Sequence, residues 1–171
     1  VVELQRQRPR CHVVVVGGEN VFYGAPPVGG VSWKQKALAE LPLDQSRIHF
    51  TGYLNRTDFL TVLQASTVHV YLSRPFVLSW SMLEAMSCGC TMVGSATQPV
   101  QEVLVDGVNG LLADFFNPQQ LAERIVEALA DDSLRKGLAH RARETILDRY
   151  DLRQQLPRQL TMIQQTIETA Q

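Results

Sequence analysis

Two short apolar runs, His69-Val70-Tyr71-Leu72 and Thr91-Met92-Val93, bracket the segment that most constrains this chain. Between them stands Ser73-Arg74-Pro75-Phe76-Val77-Leu78-Ser79-Trp80-Ser81-Met82-Leu83-Glu84-Ala85-Met86-Ser87-Cys88-Gly89-Cys90. The order reads as strand, loop, helix opening, one carboxylate inside the helix, a Gly stop and a second strand. Such a unit presents backbone N–H groups at the mouth of a helix, where anions bind, and places Glu84 about a turn deeper. A phosphate group and a hydroxylated sugar ring together match those two features.

The same alternation runs along the chain. Residues 1–8 read as the end of a helix, and residues 12–16, a continuous run rich in Val, as a strand buried on both faces of a parallel sheet. Ser32 is placed to cap a helix over 33–41, and residues 47–51 form the next strand, stopped by Gly52. Thr57 is placed to cap a helix over 58–64. A strand over 68–72, a helix over 80–87 and a strand over 91–94 follow, then a turn at Asp106-Gly107 and a short strand over 110–113. Pro118 suits the first position of a helix, where its missing N–H costs nothing. Two last helices cover 134–148 and 152–169, the second kinked or restarted at Pro157. The expectation is an α/β fold, a doubly wound parallel sheet flanked by helices, in one domain over residues 1–171 whose C-terminal helices begin near 132.

Composition excludes several classes. Lys plus Arg number 16 against 17 for Asp plus Glu, so no strongly charged surface for nucleic acid or membrane is expected. No apolar run approaches the ~20 residues that span a bilayer. Three cysteines, Cys11, Cys88 and Cys90, form no disulfide framework and point to a reducing, cytoplasmic setting. Cys88-Gly89-Cys90 has no partner pair at zinc spacing, so it reads as two small buried residues, and no metal or cofactor is expected. The four histidines, His12, His49, His69 and His140, do not cluster in sequence and read as strand or surface residues.

Ligands of open parallel sheets bind outside the carboxyl ends of the strands. Four loops leave those ends, over 17–30, 52–56, 73–80 and 94–99, and three of them open with Gly. Each Gly alone reads as a turn residue; their joint placement favours a binding edge. Glu84 has two readings, a solvent-facing helix glutamate or a ligand. Its neighbours Met82, Leu83, Ala85 and Met86 are apolar, and an acid in that setting needs partners. A vicinal diol is suitable, because one carboxylate accepts both hydroxyl protons.

The stretch Pro75 through Gly89 resembles the donor-site signature of retaining glycosyltransferases of family 4 (group 1), which have the two-domain GT-B fold. The surrounding chain is similar in order: Arg8-Pro9-Arg10 with the run to Gly18, Arg47-Ile48-His49-Phe50-Thr51-Gly52, Glu102 through Leu112, and Asn117-Pro118 with Leu121-Ala122. The resemblance implies a C-terminal, nucleotide-sugar-binding domain. Glu84 would hold the ribose, and the N–H groups of Trp80, Ser81 and Met82 would face the diphosphate. Gly52, Tyr53 and Leu54 would lie beside the base, and Gly17 and Gly18 would let the backbone approach the phosphates or the transferred sugar. Phe76, Ser79, Ser95, Ala96 and Thr97 would stand on the sugar side. The full enzyme would transfer a sugar from a nucleotide diphosphate donor to a glycan, lipid or small-molecule acceptor with retention. The acceptor wall would belong to the protein's own N-terminal domain, through which the enzyme would touch a membrane peripherally.

Three departures from the family stand out. Phe76 occupies the position, eight residues before Glu84, where the family carries a sugar-contacting Glu. Val77-Leu78-Ser79 replaces its Gly-Phe-Gly. Its diphosphate-neutralising Arg and Lys come from a region before Val1, so the chain reads as truncated at its N-terminus; Arg74 and Lys34 are cations nearby in sequence and read as solvated. The isolated domain is therefore expected to bind donor weakly and to turn over little or nothing. A GT-B sugar-nucleotide epimerase and a non-catalytic flavodoxin-like regulator are the alternatives. A Rossmann-type dehydrogenase is disfavoured, because residues 12–19 lack the spaced Gly fingerprint.

Overall fold

The computed structural model describes residues 1–19, 25–73 and 77–169. In chain order the elements are α1 (Val2–Gln7), β1 (Val13–Val16), α2 (Trp33–Glu40), β2 (Ile48–Gly52), α3 (Arg56–Ala65), β3 (Val68–Tyr71), α4 (Trp80–Ser87) and β4 (Thr91–Ser95). A short α5 (Gln98–Gln101), β5 (Leu111–Ala113), α6 (Pro118–Ala130), α7 (Asp132–Arg149) and α8 (Leu152–Thr169) complete them. A 3-10 turn at Gln45–Arg47 leads into β2.

Every strand pairing is parallel, as the alternation predicts. The strands nevertheless form two hydrogen-bonded groups among the described residues: β1 with β2, and β3 with β4 and β5. The larger group is wound on both faces. Met92 of β4 and Leu112 of β5 pack with Leu63 of α3, with Met82, Ala85 and Met86 of α4, and with Ile146 of α7. Their chain neighbours Val93 and Leu111 face the opposite way, onto Leu4 of α1, Ile125 and Ala128 of α6 and Leu138 of α7. The period-2 alternation of strand side chains thus supplies both cores from one pair of strands.

The smaller group departs from expectation. Val14 is 48% and Val15 39% exposed, so β1 is not covered on both faces. Its register also shifts between Val15 and Val16, which pairs Val16 with Gly52. The nearby α2 buries no residue.

Local chemistry sets the element ends. Ser79 caps α4, and Gly89, at φ +76, closes it: the Gly89 N–H donates to Met86 O and the Cys90 N–H to Ala85 O, the two bonds of a Schellman ending. Asn55, not Thr57, caps α3. Its Oδ1 accepts from the Asp58 N–H at 2.9 Å while its Nδ2 donates to Asp58 Oδ2 at 2.8 Å, which starts the helix two residues earlier than expected. Asp131 caps α7 through the N–H groups of Ser133 and Leu134, again two residues early. The last helix passes through Pro157 without a restart. No helix among the described residues is long and apolar enough to cross a membrane.

Candidate functional site

Backbone and side chains tie the loops after β1 and β2 to each other and those after β3 and β4 to each other, and the Arg56–Glu84 ion pair joins the two sets into one rim. After β1 and β2, the Gly17 N–H donates to Gly52 O at 2.9 Å. Gly17 (φ +136) and Gly52 (φ +68) both use backbone conformations that favour glycine. Gly18 is in contact for a different reason. A Cβ there would lie 2.3 Å from the Tyr53 ring, so the ring rests directly on the Gly18 backbone while most of it stays exposed. Four of the sequence-predicted residues, Gly17, Gly18, Gly52 and Tyr53, are therefore one cluster, and Leu54 follows half-buried.

The loops after β3 and β4 are joined through Ser73. Ser95 is fully buried; its hydroxyl accepts from the Ser73 N–H at 3.0 Å and donates to Ser73 O at 3.1 Å. The Thr97 hydroxyl donates to the same carbonyl at 3.0 Å. Ser95 is thus a strap between loops and not an open lining group, and Thr97, half-buried, braces the same carbonyl. Ala96 is exposed, with its N–H on Ala113 O. Phe76 and Arg74 lie outside the described residues.

At the mouth of α4, Ser79 is engaged three ways. Its N–H donates to the Tyr71 hydroxyl at 2.9 Å, its Oγ accepts from the Ser81 N–H at 3.3 Å, and its carbonyl accepts from the Met82 N–H at 3.2 Å. Two of the three N–H groups expected to face a diphosphate are thus held within the cap. The Met82 side chain is fully buried, whereas the Trp80 side chain is largely exposed. The residues replacing Gly-Phe-Gly have structural work of their own: Leu78 packs on the core beneath α4, and Ser79 is the cap.

Glu84 is neither freely solvated nor buried without a partner. Its flanking Met82, Ala85 and Met86 are fully buried. Its Oε1 accepts from Arg56 Nη1 at 2.5 Å, with the glutamate side chain 25% and the arginine side chain 72% exposed. Arg56 opens α3, so this ion pair joins the β2 loop to α4. Lys34 is not simply solvated, as the sequence suggested. It pairs with Glu19 at 2.6 Å and lies 4.7 Å from the centre of the Phe50 ring, and that bond, with Ser32, holds the Glu19 carboxyl below its ordinary range.

The cysteines are not poised nucleophiles. Burial pushes the Cys90 thiol up to about 11, and burial with the nearby Glu84 charge raises Cys88. Cys88 is only half-buried, which departs from the reading of two buried residues. No group of three or more His, Cys, Asp or Glu suited to a metal occurs among the described residues. His12 and His49, separate in sequence, meet at 2.9 Å, but at the opposite end of β1 from the rim.

Residues 1–145 of the chain match the family described as glycosyl transferases group 1. The chain belongs to that family. An uncharacterised glycosyltransferase of Methanocaldococcus jannaschii is 30% identical over 105 residues, which is 61% of this chain and 27% of that protein. Among solved structures, sucrose-phosphate synthase from Thermosynechococcus elongatus superposes with a TM-score of 0.79 at 21% identity, covering 99% of this chain and 42% of the other. Anabaena HepE, solved in complex with UDP-glucose, gives 0.76 at 24% identity, covering 99% and 43%. These likenesses place the fold among the GT-B glycosyltransferases. The chain spans about three tenths of the length of the curated relatives it matches, from 27% to 30% for the first four.

For a group 1 glycosyl transferase, three rim residues escaped the sequence reading: Arg56, Tyr71 and Ser73. Tyr71 and Ser73 act through the segment-to-segment bonds above and leave no local pattern. Arg56 does leave one. A cation at the first position of a helix opposes the macrodipole, so it signals a partner elsewhere.

Proposed function

We propose that this chain is the donor-binding domain of an enzyme that transfers a sugar from a nucleotide diphosphate sugar to an acceptor with retention at the anomeric carbon. The observation that carries the reading is Glu84. It is the one acid of α4, held among buried apolar neighbours at the carboxyl edge of a parallel sheet, with its carboxylate turned to the loop after β2. A nucleoside on the Gly18–Tyr53 platform would present its ribose diol to that carboxylate, and its diphosphate would follow toward the mouth of α4. HepE binds UDP-glucose on the same fold, so uridine diphosphate sugars are the first donors to test.

The acceptor and the acceptor-side catalytic groups belong, in this reading, to an N-terminal domain of the same protein. The stripe Leu152, Leu156, Leu160, Ile163 and Ile167 on α8 supports a further partner surface, since five apolar residues at helical spacing each stay more than half exposed here. The enzyme is assigned to the cytoplasm, touching a membrane at most peripherally through that N-terminal domain. The domain alone binds donor weakly and turns over little or nothing. Incubating the full-length protein with UDP-sugars and candidate acceptors, and reading the anomeric configuration of the product by NMR, tests this. A product with the donor's configuration is expected, and only from the full-length protein. Inversion, or full activity in the isolated domain, contradicts it.

A further inference from the structure

Arg56 holds the carboxylate that the donor needs. It stands at the first position of α3, four residues after Gly52, because Asn55 rather than Thr57 makes the cap. Its backbone is pinned by that cap, but its side chain is mostly solvated. A guanidinium at a helix N-terminus gains nothing from the helix itself, whose dipole repels it. What holds it there is Glu84, 28 residues away, through Nη1 to Oε1. Glu84 is the more enclosed partner of the pair, seated in an apolar helix with its side chain 25% exposed, against 72% for Arg56.

We propose that Arg56 is a competing counter-ion for Glu84, a specificity-determining gate that the ribose diol must displace. The inference rests on the reading of Glu84 as the ribose ligand. A carboxylate has two oxygens, and a vicinal diol uses both hydroxyls best when both oxygens are open. The Arg56 N–H already uses part of the acceptor capacity of Oε1, so a nucleotide that brings both hydroxyls to the carboxylate competes with the ion pair more than a 2′-deoxynucleotide, which can settle on Oε2 alone. Arg56 thus lowers affinity for ribonucleotides and narrows their advantage over deoxynucleotides. Since the pair is exposed on the arginine side, its effect is modest and is screened by salt.

Titrations of the chain with UDP and dUDP, followed by NMR shifts at low and high salt, test this with Glu84→Ala, Arg56→Ala, Arg56→Lys and the double variant. Arg56→Ala is expected to tighten UDP roughly two- to fivefold, the scale of an exposed ion pair, with a smaller gain for dUDP. Arg56→Lys keeps the wild-type affinity, and the Arg56→Ala gain shrinks in high salt. In the Glu84→Ala background, removing Arg56 changes nothing. Weaker or unchanged UDP binding by Arg56→Ala, while Glu84→Ala still weakens it by roughly tenfold, overturns the gate and leaves the ribose reading intact. Binding that ignores Glu84, or no binding by the folded chain, removes both.

Discussion

Strands β4 and β1 are both short apolar runs in parallel pairs, yet they lie in opposite surroundings. All five residues of β4 are buried, with Met92 and Val93 feeding separate cores on the two faces. β1 is four valines in a row, more uniformly apolar than β4, and its two central residues are open to solvent. An unbroken apolar run therefore reports a strand that wants cover, not one that has it. Cover comes from helices and flanking strands: β4 has α4 and α7 on one face, α6 and α1 on the other, and strands on both edges, whereas β1 has β2 as its one flanking strand among the described residues and touches the α1–α6 core through Val13 at its start.

That contrast is sharpest in stability. Met92→Ala should cost about 2–5 kcal/mol, because it opens a cavity against α4 and α7, while Val15→Ala should stay within roughly 0.5 kcal/mol, as for surface changes. Urea unfolding of both variants measures the difference; equal losses would mean that β1 is covered in solution. A smaller effect is expected at the turn before β5. Buried Asn109 accepts the Val105 N–H and donates to Val103 O and to the Thr145 hydroxyl. Asn109→Ala leaves Val103 O, the buried one of the two backbone groups, without this partner, at about 1–3 kcal/mol, and a lower thermal midpoint reads it out. The smallest effect is on the β2 side. Hydrogen bonds from Ser46 and then Arg47 hold the Asp44 carboxyl down at about 2. Its folded value lies below the ordinary 3.8, so its contribution is present above pH 3.8 and is lost as pH falls toward about 2. Asp44→Asn removes that slight acid-side slope; an unchanged slope contradicts the assignment.

How much was legible follows the range of the interactions. The bounds of α4 could be read because its cap, its apolar face and its closing Gly all lie within ten residues of one another. The start of α3 could not, because Asn55 and Thr57 are both good caps and the reciprocal Asn55–Asp58 bond decides between them. Gly17 and Gly18 are named in the sequence on one loop and Gly52 and Tyr53 on another; that the two pairs meet, with the Tyr53 ring lying on the Gly18 backbone, needs the fold. Ser95 was expected to line a sugar pocket and instead straps two loops, since an OH group in a strand end gives no sign of which way it bonds. The exposure of β1 and the hold of Arg56 on Glu84 depend on neighbours far away in sequence, and the local pattern around either carries only a hint of them.

The most direct measurement of the central claim, that Glu84 is the ribose contact, is an NMR titration of wild type and Glu84→Ala with a panel of nucleoside diphosphates. The account predicts one favoured nucleotide, with shifts spreading over Gly18, Tyr53 and the α4 mouth, and a loss of roughly tenfold or more in affinity in the variant, the scale of a charged hydrogen-bond pair. Affinity unchanged by Glu84→Ala in a folded protein would contradict it.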